Sequence, residues 1–60
     1  MSIADYVLTH YRDELIAGKQ IAYEGHVFMT VDDWDISDGR HVYVVSDTMS
    51  MKQYNIYSVS

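Results

Sequence analysis

The chain has 60 residues, 48% of them hydrophobic, and its nine acidic and four basic side chains give a net charge of −5. That length holds one domain at most and buries only about 60% of the surface its unfolded form exposes. The absence of cysteine excludes disulfides and thiolate metal sites, and four scattered cations are too few for direct binding to nucleic acid.

The apolar content is that of a folded protein and argues against disorder. Domains this small usually rely on disulfides, a metal or oligomerisation, so a homodimer is expected. No apolar run approaches the roughly 18–20 residues that span a bilayer, so no membrane partner is expected. Asp5 stands where a signal peptide would carry positive charge, and a cytoplasmic protein is the expectation.

Taken in order, the chain opens with Ser2 and Asp5 spaced as a helix start. The serine hydroxyl caps a free amide, and the carboxylate sits at the positive end of the helix dipole. Ile3, Ala4, Val7, Leu8, Tyr11 and Leu15 then share one face at helical spacing. Gly18 suits a left-handed stop. One helix over residues 3–17 is predicted, with the apolar face against the rest of the fold.

Beyond Gly18 the period shortens to two. Strands are predicted around residues 20–24 and 26–32, joined at Glu24-Gly25. A two-residue loop would set Ile21 beside Phe28 and a three-residue loop beside Met29, and the choice flips one strand's faces. Asp32-Asp33 then either ends the second strand or forms a bulge in one long strand to Ile36. Three carboxylates within four residues repel one another and point to an exposed edge or bend.

Asp38-Gly39 is the clearest turn signal, since both residues tolerate the positive φ of a type I′ turn. As a two-residue loop it sets Ser37 opposite Arg40, Ile36 opposite His41, Asp35 opposite Val42 and Trp34 opposite Tyr43. Residues 40–46 form the strongest predicted strand. Val42 and Val44 lie on one face and His41, Tyr43 and Val45 on the other, so both faces are apolar, as in a central strand or one covered by a second subunit. Alternation returns from Gln53 to Val59. The whole reads as α+β, an N-terminal helix packed on a three- to four-stranded antiparallel β-meander.

Chemical motifs are few. An EF-hand loop from Asp33 would need glycine where Asp38 stands and glutamate where Val44 stands. His10, His26 and His41 have no zinc-binding spacing, the three glycines are isolated, and no serine, histidine and carboxylate set has catalytic spacing. Neither a cofactor nor catalysis is expected. What remains is composition: Trp34 and Tyr43 among Asp32, Asp33, Asp35 and Asp38, aromatic anchors ringed by charge as in interface hot spots.

The expected function is a small acidic protein-binding module, an inhibitor that occludes a partner protein. A basic nucleic-acid-binding protein is the partner to which acidic charge points. In the sharper form Asp32, Asp33, Asp35, Asp38 and Asp47 imitate DNA phosphates. Compact acidic inhibitors of that kind are often phage-encoded, a link that rests on size and charge alone. The alternative is a structural or assembly subunit of a homo-oligomer, for which the two apolar faces of residues 42–45 speak. Plain solubility of a small sheet explains the carboxylates without any partner.

Overall fold

The computed structural model describes residues 2–59. Ser2 caps the first helix as its sequence implies, its Oγ accepting from the Asp5 amide at 3.1 Å. The single predicted helix is in fact two: α1 spans Ile3–His10 and α2 spans Arg12–Ile16. Tyr11, at φ −117° and ψ 25°, leaves the helical path between them. Over a straight helix Val7 and Leu15 would stand about 12 Å apart along the axis, at 1.5 Å per residue. The break lets α1 lie on the first strand and α2 turn onto the second, so both side chains reach one core. Ile3, expected on the apolar face, is exposed, while Leu8 and Tyr11 are half-buried at its border. Gly18 closes α2 at φ 88°. Its amide bonds the Leu15 carbonyl and the Lys19 amide bonds that of Glu14, the paired pattern of a Schellman stop.

The sheet has four antiparallel strands in sequential order: β1 (Ile21–Tyr23), β2 (His26–Ile36), β3 (Arg40–Asp47) and β4 (Lys52–Val59). Glu24 and Gly25 form a two-residue loop with φ of 50° and 80°, so Ile21 faces Phe28. β2 runs unbroken to Ile36. Its pairing with β3 skips from Thr30 opposite Val45 to Asp32 opposite Val44, leaving Val31 as a bulge.

The second hairpin corrects the expected register. Ile36 faces Arg40, Asp35 faces His41, Trp34 faces Val42 and Asp33 faces Tyr43. Asp38 and Gly39 take positive φ as expected, but Ser37 joins them in a three-residue loop. The predicted Trp34–Tyr43 pair does not form. The shift of one residue puts His41 beside carboxylates instead of Ile36, which relieves their mutual repulsion.

Phe28, Val45 and Ile56 meet Ala4, Val7 and Leu15 in the core. Each large side chain buried there contributes about 1.5–3 kcal/mol. The molecule is elongated, 36 × 19 × 19 Å, because the β2–β3 hairpin continues past the short helices.

Candidate functional site

The projecting hairpin carries Asp32, Asp33, Trp34, Asp35, Asp38 and Tyr43, whereas Asp47, expected among the phosphate mimics, is buried at the other end of the sheet. The bulge at Val31 decides which of the hairpin residues face the helices. Before it Phe28 and Thr30 point to the helix side; after it Asp33 and Asp35 do, with their partners Tyr43 and His41. Asp32 and Trp34 fall on the opposite face, and Asp38 is exposed in the loop. The acidic run is therefore divided between two faces.

On the helix side His41 bridges two carboxylates. Its Nδ1 lies 2.5 Å from Asp35 Oδ1 and its Nε2 lies 2.7 Å from Asp33 Oδ1. A neutral imidazole has one donor and one acceptor nitrogen, so two ionised carboxylates at these distances require the doubly protonated ring. The hydrogen bonds to Asp35 and Asp33 raise the His41 pKa against the opposing effect of desolvation. Tyr43 packs on the ring at 4.7 Å and leans on the core cluster. Both nitrogens of this histidine are committed to hydrogen bonds, and among the described residues no three His, Cys, Asp or Glu are grouped to hold a metal ion.

The other face is uncovered. Val42, only 2% exposed, lies between its cross-strand partners Trp34 and Tyr57. Those two are 45% and 51% exposed, and Val59 beside them is also open to solvent. The result is an aromatic strip across three strands with Asp32 and Arg40 at its border.

The two edges of the sheet differ. β1 pairs with only His26–Phe28 of β2, so residues 29–36 have a strand on one side only. On the far edge, the Arg12 guanidinium donates to the Tyr57 carbonyl of β4.

A second polar cluster lies at the opposite end of the sheet. Asp47 is 3% exposed and accepts from Ser50 Oγ, the Met49 amide and His26 Nδ1 at 2.9–3.0 Å. Burial would raise its pKa, yet the bonds from Ser50, His26 and Met49 outweigh that and hold it below the usual carboxylate value. Histidine, aspartate and serine thus meet, but both others contact the carboxylate. A nucleophile must donate to the base, so the group fixes the β3–β4 turn instead.

Near the N-terminus an open depression of about 310 Å³ is lined by Ser2, Ile3, Tyr6, Tyr23 and Glu24. Tyr6 stacks on Tyr23 and lies against His10, at centroid distances of 4.9 and 4.2 Å.

The sequence reading missed the bridge at His41 and the contribution of Tyr57. A three-residue loop at Ser37-Asp38-Gly39 would have exposed the first. No helix among the described residues is long and apolar enough to cross a membrane. Comparison with protein-family models, curated proteins and solved structures gave no match.

Proposed function

We infer that this chain is a small acidic protein-binding module that occludes a basic partner through its β2–β3 hairpin. The observation behind this reading is the half-exposed pair Trp34 and Tyr57 over the buried Val42, beside a hairpin that also bears Asp32, Asp33, Asp35 and Asp38. Aromatic side chains that are rigid and half-exposed make interface anchors, and surrounding charge steers the encounter.

The geometry favours this mixed surface over imitation of DNA. Asp33 and Asp35 share a face about 7 Å apart by strand geometry, near a phosphate-like spacing. The imidazolium of His41 between them cancels one of their two charges, and Asp32 points to the other face. Phosphate mimicry would call for free charges in one row.

The test is affinity capture from the native host with the parent, Trp34→Ala, and the combined Asp32→Asn, Asp33→Asn and Asp35→Asn variant. Both variants should keep the parent's circular dichroism and lose the captured partner, and capture by the parent should fall steeply with salt. A folded triple variant that retains the same partner at full strength would refute the reading.

A second reading, assembly of a homo-oligomer, has the same apolar strip in its favour. A C₂ homodimer would bury Trp34, Tyr57 and Val59 against their counterparts. Light scattering that gives a monomer at high micromolar concentration would count decisively against it.

A further inference from the structure

We propose that the free outer edge of β2 is a docking site for an extended basic segment of a partner protein, which pairs there as an additional strand. The inference rests on the protein-binding reading and specifies its mode.

Among the described residues, eight of the eleven residues of β2, numbers 29–36, have no strand on their outer side, because β1 ends opposite Phe28. At 3.3 Å per residue this is about 26 Å of edge, enough for a seven- or eight-residue partner strand. Addition of a strand to such an edge takes its affinity from main-chain hydrogen bonds and its selectivity from the flanking side chains.

Those side chains define the occupant. Asp32 and Trp34 project to one face of the edge and Asp33 and Asp35 to the other, while Val31 and Trp34 are each nearly half exposed. A strand with lysine or arginine at alternate positions lays its cations on one face. Asp33 and Asp35 keep a net negative charge beside His41, whereas Asp32 shares its face with Arg40, so one way of presenting the strand is preferred. A second copy of this chain is disfavoured: two β2 edges would bring Asp32, Asp33 and Asp35 against their own kind, and like charges across strands repel. The β4 edge is a poorer template, since Arg12 already occupies the Tyr57 carbonyl.

The experiment titrates the isotope-labelled full chain with a capped decapeptide of alternating lysine and threonine, followed by NMR and calorimetry. Two analogues carry N-methyl groups on the odd or on the even residues, which removes the amide donors along one edge and keeps every charge. The unmodified peptide should bind and slow amide exchange within residues 29–36. One of the two analogues should bind at least tenfold more weakly, as several hydrogen bonds of about 1 kcal/mol each are lost. Equal binding by both analogues would overturn strand addition and leave an acidic surface that attracts cations. No binding of the unmodified peptide, or protection confined to residues 52–59, would also overturn it. Loss of the protein-binding reading itself registers separately, in host capture that ignores Trp34 and the three aspartates.

Discussion

The Thr30 hydroxyl donates to the main-chain carbonyl of Leu15 at 2.7 Å. This bond ties the middle of β2 to the last turn of α2, where the Leu15 carbonyl also accepts from the Gly18 amide. Directly beside it the Leu15 side chain is fully buried among Val7, Phe28 and Val45. One residue thus joins helix to sheet through both its backbone and its side chain.

Two substitutions separate those contributions. Leu15→Ala should lower the unfolding free energy by about 2–5 kcal/mol, the range for emptying a core leucine site. For so small a domain that is most of its stability. Thr30→Val should cost only about 0.5–1.5 kcal/mol, since the carbonyl keeps its second donor. Urea unfolding of both variants reads the difference, and a Leu15→Ala midpoint equal to the parent's would contradict the core assignment.

Gly18 isolates backbone strain from packing. A Cβ there would meet nothing within 4 Å, yet φ is +88°. Gly18→Ala should therefore destabilise by roughly 1–2 kcal/mol through the left-handed conformation alone. Thermal unfolding at neutral pH measures it, and an unchanged or raised melting temperature would show that the turn relaxes.

Asp47 sets the acid limit. Its folded pKa lies below the unfolded value of about 3.9. The stability it lends is present above the unfolded value and is lost as pH falls through the folded one. Asp47→Asn should lower stability at neutral pH and flatten the dependence below about pH 4. A variant whose acid unfolding curve runs parallel to the parent's would exclude this role.

His41 works in the opposite direction. Its folded pKa lies above the unfolded value of about 6.5, so the bridge stabilises fully below that value and is lost as pH rises through the folded one. Asp35→Asn should shift the His41 NMR titration down, and Asp33→Asn should shift it less. A titration midpoint in the parent at or below that of a free histidine would show that the bridge does not hold in solution.

Much of the architecture was legible because local chemistry and fold agree. Ser2 with Asp5, Glu24-Gly25 and the alternation from Arg40 to Ser46 each act over a few residues, and each forms the element it implies. The break at Tyr11 was not legible, since Val7, Tyr11 and Leu15 keep perfect helical spacing and only the position of the core bends the path. The second hairpin register was hidden for a related reason. Asp38-Gly39 prefers a two-residue loop, and the competing gain comes from Asp33, Asp35 and His41, which meet only after the strands pair. The site residues were found as a sequence cluster, but which of the two alternating sets faces the helices follows from the bulge, which carries no distinct signal at Val31.

That bulge assigns the two sides of the distal hairpin. Were the ladder to run on from Thr30–Val45 without it, Val31 would face Val44, Asp33 would face Val42 and Trp34 would face His41, turning the distal hairpin inside out relative to the core. The imidazole would lose Asp33 and Asp35 at once, and charge would replace the aromatic side chain over Val42. Deleting Val31 would have no such effect, because Asp32 would follow Thr30 with the alternation both residues already hold. A single residue left out of the ladder thus lets one composition, one core and one net charge present the surface they do, and the same chain paired one step over would offer its neighbours the reverse.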